Sequence, residues 1–596
     1  MQRVSLKIVG ASGQGINSVG EVLAKGLKRE GYCVFGYREY PSLIKGGHAS
    51  YQLDISNESV RGSVRVVDVL LTLNHHGLQR NLDDVKEGGL LIHNVLSWKF
   101  SKEDEERLQK RRIKVVYLPV EALLQKMAAQ PILGNVLLSA FLWAAFGRKI
   151  DALKAMVGER YAKKKHLLDL NMQCIDEGYR FVDPATGPVS VSLPPPDPQW
   201  RDHLLLTGSH AVGLGAVHAG VRFFAGYPMT PASPILSYIA EIQNKTGMAV
   251  KQAEDEITAA QLVSGAMHMG TRALTATSGG GFDLMTETLS LNGMIENPVV
   301  FIVAQRPGPA TGLPTWTAQG DLFLAVHSGH GEYPRCVMAL ADSDDAFHLL
   351  PEAFNLAEEF QIPVLVLTDK HLGEALFCQV PYDQSKTQLR RGKLVTEPAA
   401  LAALKASDRY DPSPADGVSP RWLPGAEAAT YCAQGDEHDP DGTVDEGAEN
   451  ARLQMEKRMR KQETLKVRLP EPAYAGAEQP QVLLVSWGST KPVIEDVLRD
   501  EALKGQRIGW LHYTYLWPLK TEKLAALARK AKKTVLVEGN HQGQLGKLLR
   551  QESGIEITDT ILKYDGRPFF HDELVERLQS FFPAKGRRSV PRPTLA

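Results

Sequence analysis

Apolar positions along this chain switch between strand-like runs and helical spacing, and the switches mark its elements. Residues 4–9 form a β-rich apolar run, followed by Gly10-Ala-Ser-Gly13-Gln-Gly15. Residues 16–28 then carry apolar side chains at helical spacing, Gly31 ends that helix, and 33–37 read as the next strand. The opening is a βαβ unit, with further strands predicted at 64–73, 89–92 and 114–118. Downstream, strands at 273–277, 299–304 and 364–368 alternate with helical patterns such as 256–269 and 344–359. Strands at 482–487, 507–512 and 534–538 are likewise separated by helical sequence. Alternation of this kind predicts an α/β fold with three open, mostly parallel sheets covered by helices.

Two interruptions divide the pattern. Residues 184–200 hold Pro184, Pro188, Pro194, Pro195, Pro196 and Pro198, which makes a stiff, extended spacer. Residues 386–478 are irregular apart from a charged helix at 449–466, expected to be exposed; a connection this long is functional or wraps a partner. The domain plan is therefore 1–183, linker 184–200, 201–385, long linker 386–478, 479–582 and a basic tail 583–596.

Composition narrows the class. The 596 residues are 43% apolar and 23% charged, which excludes chain-wide disorder and a small disulfide scaffold. A net charge of −1 gives no support to a nucleic-acid binder. The most apolar stretch, 132–146, contains Asn135 and is too short for a bilayer, and the start lacks a signal-peptide core. The five cysteines, Cys33, Cys174, Cys336, Cys378 and Cys432, are scattered without a C-x-x-C pair. No metal or iron–sulfur site is assigned to this chain, and a reducing cytoplasm is the expected compartment.

Six segments could carry chemistry. Gly10-Ala-Ser-Gly13-Gln-Gly15 could hold a phosphate at a helix start, but its spacing is not the dinucleotide G-x-G-x-x-G. Ser42-Leu-Ile-Lys45-Gly-Gly47-His48 offers a cation and a titratable donor on an expected loop; the plain alternative is a solvated lysine. In Gly226-Tyr227-Pro228-Met229-Thr230-Pro231, Thr230 reads as the N-cap of a helix with Pro231 in its first turn, or as part of a carboxylate site. Glu254, Asp255 and Glu256 open a helix of small residues, whose crowding behind Glu256 suggests close packing against another surface. Ser278-Gly-Gly-Gly281 ends a strand. Gln305-Arg306-Pro-Gly-Pro-Ala-Thr311-Gly-Leu-Pro-Thr315 follows another, and an arginine held there is suited to clamp a carboxylate. Several such features at strand and helix ends of one α/β block point to a ligand site.

With these residues in view, the chain closely resembles the 2-oxoacid:ferredoxin oxidoreductases, as an α subunit with a fused N-terminal γ domain of the 2-oxoglutarate:ferredoxin oxidoreductase type. Tyr227-Pro-Met-Thr-Pro231 is similar to the family's Tyr-Pro-Ile-Thr-Pro, and Gln305–Thr315 to its substrate loop. Gly13-Gln-Gly15 and Lys45-Gly-Gly-His48 resemble the γ domain; Ser419-Pro-Arg-Trp-Leu-Pro-Gly425 and Glu437-His438 the linker; Ser486-Trp-Gly-Ser-Thr490 and Gly543-Gln-Leu545 the C-terminal, transketolase-like domain. Two motifs depart: Gly-Asn-Glu-Ala stands as Gly208-Ser-His-Ala211, and Thr-Ser-Gly-Pro-Gly as Thr277-Ser-Gly-Gly-Gly281.

The resemblance implies a thiamine diphosphate enzyme that converts a 2-oxoacid and coenzyme A to an acyl-CoA and CO2, reducing ferredoxin, in a reversible reaction. Glu256 would hydrogen-bond the aminopyrimidine ring and favour its imino tautomer. Tyr227, Pro228 and Ser278 would be further cofactor contacts. Thr230 and Arg306 would hold the oxoacid, with Thr311 and Thr315 as further pocket residues. Lys45 and His48 would meet a second carboxylate, which favours 2-oxoglutarate over pyruvate or a branched-chain oxoacid. The diphosphate grip, Mg2+ and a [4Fe–4S] cluster would belong to a β subunit in an (αβ)2 assembly. Two other classes stand beside this one. A nucleotide-dependent dehydrogenase would use the 10–15 loop, against its glycine spacing. A non-catalytic assembly subunit would have no need of Thr230, Glu256 and Arg306.

Overall fold

The computed structural model describes residues 2–43, 46–96, 98–161, 165–426 and 429–582. Lys45 and the tail 583–596 lie outside them. The first block carries β1 (Arg3–Ser12), β2 (Cys33–Glu39), β3 (Gly46–Ser56), β4 (Val67–Thr72), β5 (Val85–His93) and β6 (Lys114–Tyr117). The middle block carries β7 (Leu204–Thr207), β8 (Phe223–Gly226), β9 (Ala249–Gln252), β10 (Ala273–Thr277), β11 (Val299–Gln305), β12 (Cys336–Ala339), β13 (Pro363–Asp369) and β14 (Leu376–Gln379). The last block carries β15 (Ala473–Gly476), β16 (Val482–Trp487), β17 (Ile508–Tyr513), β18 (Tyr515–Trp517), β19 (Lys533–Glu538) and β20 (Asp559–Leu562).

These strands build three sheets, in the orders β6-β5-β4-β1-β3-β2-β14-β7, β18-β12-β13-β11-β10-β8-β9 and β15-β17-β16-β19-β20. The second and third are parallel apart from one antiparallel edge strand each, β18 and β15. The first sheet is mixed rather than mostly parallel, because β3 runs antiparallel to both β1 and β2. The connection from Glu39 to Gly46 is too short for a crossover, so β2 and β3 can only pair as a hairpin. This strand includes Gly46, Gly47 and His48, which the sequence pattern places on a loop. The two glycines take positive φ angles of 80° and 70°, and the register slips beside them, between Ala11 and Ser12.

The sheets are interlocked. β7 and β14, from beyond the proline-rich spacer, extend the first block's sheet. β18, from the last block, completes the middle sheet by pairing with β12. One apolar core runs from Phe224, Val300 and Leu365 in the middle block to Val485, Trp487 and Leu536 in the last. The first block meets the last through buried Asp496, whose carboxylate accepts from the backbone N–H of Arg61 (2.7 Å) and Gly62 (3.1 Å) and from the Arg3 guanidinium (3.3 Å). No helix among the described residues is long and apolar enough to cross a membrane.

The long linker wraps the chain's own middle block. Its helix, Ala448–Arg468, is not wholly exposed: Gln454, Lys457, Arg458, Lys461, Gln462 and Leu465 are buried at helical spacing. Burying charge there requires partners. Lys457 and Lys461, one turn apart, both bind the buried Glu296 carboxylate, and Arg458 forms two bonds to Glu437, at 2.9 and 2.6 Å. The two lysines hold Glu296 well below the usual carboxylate range, while burial pushes Lys457 down to about 7. Glu296→Ala should therefore lower stability by about 3–5 kcal/mol, because it leaves two buried ammonium groups unpaired. Glu449→Ala, at an exposed pair with Arg452, should change it by less than about 0.5 kcal/mol. Denaturant unfolding of both variants checks the contrast; equal effects would contradict it.

Candidate active site

The site grows from the carboxyl ends of the middle sheet. β8, β10 and β11 are parallel, so the segments that leave them, Tyr227–Pro228, Ser278 and Arg306, emerge on one side of the sheet. Glu256 joins them as the first residue of the helix Glu256–His268. Asp255 caps that helix by accepting from Thr258 N–H at 2.7 Å, which leaves Glu256 free to turn inward. Glu256 is 3% exposed, and its Oε1 lies 3.5 Å from Thr277 Oγ1 at the end of β10. No ion pair joins it among the described residues. Among the described residues its compensation is the long Thr277 hydroxyl contact and the helix N-terminus on which it sits.

Gly281 makes room for this carboxylate. A Cβ there would lie 2.6 Å from Glu256 Oε1 and closer still to Thr277 Oγ1. At Gly280 a Cβ would meet only the Ala310 carbonyl, at 3.9 Å. The departure from Thr-Ser-Gly-Pro-Gly thus falls at the one position of the loop that has space. Ser278 is fully buried, and its Oγ has no hydrogen-bond partner.

Arg306 and Thr230 stand together. The Arg306 guanidinium is buried, and Nη1 donates to the Thr230 carbonyl at 2.5 Å; its Nε has no partner. Burial lowers its pKa, and Asp321 opposes that. Thr230 is not the cap expected from the sequence. The helix starts at Ser233 with Ala232 in the cap position, and the Thr230–Pro231 peptide is cis. Thr230 instead lines a 440 Å³ cavity with Tyr40, His210, Tyr238, Glu241 and Glu374, among others. Tyr227 and Pro228 are exposed.

The other anticipated residues divide. Thr315 is buried and donates to the Tyr40 carbonyl at 2.6 Å, tying the loop after β11 to the first block. Thr311 is exposed at the tip of that loop. His48 packs within the first block, 3.3 Å from Asn81 Nδ2 and edge-on to His76, and is not among the residues lining the Thr230 cavity. Burial, Arg80 and Lys7 push it down to about 4, so it is neutral at pH 7. Lys45 falls outside the described residues. The 10–15 glycine loop borders a separate 510 Å³ cavity in the first block, together with Arg38, Glu39 and Tyr40.

His210 accounts for the other departure, Gly208-Ser-His-Ala211. Thr207 caps the helix Gly208–His218, and His210 Nδ1 reaches back to Thr207 N–H at 3.3 Å, so an imidazole completes a capping box here. Ser209 Oγ donates to the Gly373 carbonyl at 2.8 Å. Sequence reasoning missed His210, Tyr40, Glu374 and Asp321. For Asp321 a signal was present, since an aspartate precedes the apolar helical run Leu322–His327. Tyr40 and Glu374 come from different blocks, and only folding joins them, at 2.5 Å.

Comparison with known proteins gives the family. Residues 5–181 match the family model described as pyruvate ferredoxin/flavodoxin oxidoreductase, and residues 214–457 match pyruvate flavodoxin/ferredoxin oxidoreductase, thiamine diP-bdg. A Sulfolobus 2-oxoacid:ferredoxin oxidoreductase subunit alpha is 33% identical over 97% of this chain and 96% of its own. The Mycobacterium tuberculosis 2-oxoglutarate oxidoreductase subunit KorA is 25% identical over 96% and 91%. Among solved structures, the Magnetococcus marinus 2-oxoglutarate:ferredoxin oxidoreductase, with 2-oxoglutarate, coenzyme A and succinyl-CoA bound, superposes with a TM-score of 0.88. It is 29% identical and is matched over 98% of this chain and 100% of that one. On full-length identity above 30%, both domain matches and this superposition, the chain belongs to the 2-oxoacid:ferredoxin oxidoreductases, as an alpha subunit.

Proposed function

We propose that this subunit acts on 2-oxoglutarate, converting it with coenzyme A to succinyl-CoA and CO2 and passing two electrons singly to ferredoxin, reversibly and in the cytoplasm. The observation that carries the proposal is the buried Glu256 carboxylate, held against the Gly281 cradle with no ion-pair partner among the described residues, on the sheet side from which the Arg306 segment also emerges. These groups fit the aminopyrimidine end of thiamine diphosphate: an acceptor at a helix start, a loop that a Cβ would fill, and the unpartnered Ser278 Oγ. Tyr227 and Pro228 would wall the same end. When bound, the cofactor supplies the nucleophilic carbon and the electron sink that the side chains lack.

The chain's own residues do the rest. The Glu256 carboxyl holds a proton at the pyrimidine ring nitrogen, and burial strengthens that bond by excluding water. The Arg306 guanidinium and the Thr230 hydroxyl orient the oxoacid carboxylate. The Thr315–Tyr40 bond ties the first block to the substrate loop, which supports a role for the first block at the far end of the substrate. A β subunit with the diphosphate grip, Mg2+ and a [4Fe–4S] cluster would close the site in an (αβ)2 assembly. Tyr227, Ile257, Leu284 and Leu313, between 38% and 50% exposed on the site's segments, are apolar surface for that contact.

The name of the Magnetococcus marinus neighbour supports 2-oxoglutarate. One observation favours a monocarboxylic oxoacid instead: Glu241 and Glu374 both line the cavity beside Thr230, and His48 adds no positive charge there. A panel of oxoacids with the assembled enzyme separates the two. Lys45→Ala should raise KM for 2-oxoglutarate several-fold and leave pyruvate unchanged; equal loss on both removes the specificity role.

Two further outcomes test the cradle. Glu256→Gln in the assembled enzyme should lower turnover by about 100-fold to 10,000-fold with assembly retained, and near-normal turnover would sink the reading. Gly281→Ala places a methyl against Glu256 and Thr277, at a cost of about 1–3 kcal/mol in stability or cofactor affinity. Gly280→Ala should be nearly silent in thiamine diphosphate titrations, and the reverse ranking would contradict the geometry.

A further inference from the structure

A second carboxyl group lies on the opposite side of the triple-glycine loop from Glu256, and nothing above uses it. Asp321 sits in the cap position before Leu322–His327, yet its side chain makes no cap bond. It turns instead toward the loop, where a Cβ on Gly279 would lie 2.6 and 2.7 Å from its two oxygens. Its backbone N–H is fixed by the Gln305 side chain at 3.0 Å, so the residue is tied to the end of the strand that leads into Arg306. Oδ2 is shut off from solvent and has no hydrogen-bond partner. Two other polar atoms at these strand ends are also buried and unpartnered, Arg306 Nε and Ser278 Oγ. Thr277 pairs with Val303 in the β10–β11 register, which sets Ser278 alongside the start of the Arg306 segment. A buried polar atom left without a partner costs about 1–3 kcal/mol; two at adjoining strand ends, with Asp321 Oδ2 held against the Gly279 turn that follows one of them, mark a place where a ligand completes the bonding.

We propose that Asp321 is a positioning residue of the oxoacid site, a carboxyl group beside Arg306 that takes up one proton from solvent when an oxoacid carboxylate is held there. The inference rests on the functional reading above. Its reason is charge balance. One guanidinium faces two carboxylates once the oxoacid is bound, and two carboxylates sharing a desolvated site do not both stay ionised. The groups facing Asp321 are Arg306, which lowers its pKa, and Asp283 at the end of the short helix Gly279–Asp283, which raises it. Gln305 and the backbone of the glycine loop, which carry no charge, also pack against it. Burial outweighs Arg306 and pushes Asp321 up to about 6 even without a ligand. At pH 7 the group is therefore mostly ionised in the free protein, and an arriving anion draws a proton onto it. The neutral acid then donates through Oδ2 rather than repelling the oxoacid, and Arg306 stays committed to the oxoacid carboxylate.

The test is calorimetric. The assembled enzyme is titrated at pH 7 with N-oxalylglycine, an unreactive 2-oxoglutarate isostere, in two buffers of different ionisation enthalpy. Wild type should take up close to one proton per site, and its affinity should weaken several-fold from pH 6 to pH 8. Asp321→Asn should bind with almost no uptake and a flat pH dependence, and Asp321→Glu should restore part of the uptake. In turnover, the Asn variant should lose the alkaline rise in oxoacid KM while kcat moves less. Equal proton uptake in wild type and Asp321→Asn overturns the proposal. Wild type that neither binds the isostere nor turns over any oxoacid overturns the functional reading itself, and the proposal with it.

Discussion

The candidate site is built around the buried Glu256 carboxylate, to which no described residue supplies an ion pair. Three other buried acids of this protein carry their compensation with them. Glu296 is gripped by two lysines, and Glu358 by Arg272 at 2.7 Å. Glu538 accepts from the Trp487 indole at 2.9 Å and from the Leu545 N–H at 3.0 Å. Glu256 has only a 3.5 Å contact with Thr277 and a helix terminus. Desolvating a carboxylate is expensive, and the expense persists through folding only if something else completes the site. On the proposed function, a cofactor ring nitrogen would be that completion.

The rest of the fold holds this arrangement still. Parallel strand ends bring Ser278 and Arg306 together on one side, and Gly281 clears the volume that Glu256 occupies. The loop after Arg306 is gripped from both sides. Thr315 holds the first block, and Gln319 holds the last through Trp487 O at 2.8 Å and Gly539 N–H at 2.7 Å. Because β7, β14 and β18 each complete a sheet of another block, the blocks cannot shift independently without breaking strand pairing.

Much of this was legible in the sequence where local chemistry sets structure. The βαβ opening, the three α/β blocks and the glycine loop at a strand end follow from periodicity and glycine placement. Glu256, Thr230 and Arg306 stood out because charged or hydroxyl residues cluster at predicted element ends. What escaped is long-range. His48 looked like a loop donor, but strand β3 seats it against Asn81. The charged helix looked exposed, because burial of Lys457 and Lys461 depends on Glu296, more than 150 residues earlier. Thr315 looked like a pocket wall, and its partner is a carbonyl of the first block. Thr230 matched a helix cap by spacing alone, whereas the helix begins later, at Ser233.

The most direct measurement is a structure of this chain assembled with its partner subunit and thiamine diphosphate. The account predicts a Glu256 carboxylate oxygen about 2.7–3.2 Å from a ring nitrogen of the aminopyrimidine, with the Gly279–Gly281 loop beneath it. A cofactor whose pyrimidine meets another acid, with Glu256 turned away, would contradict it.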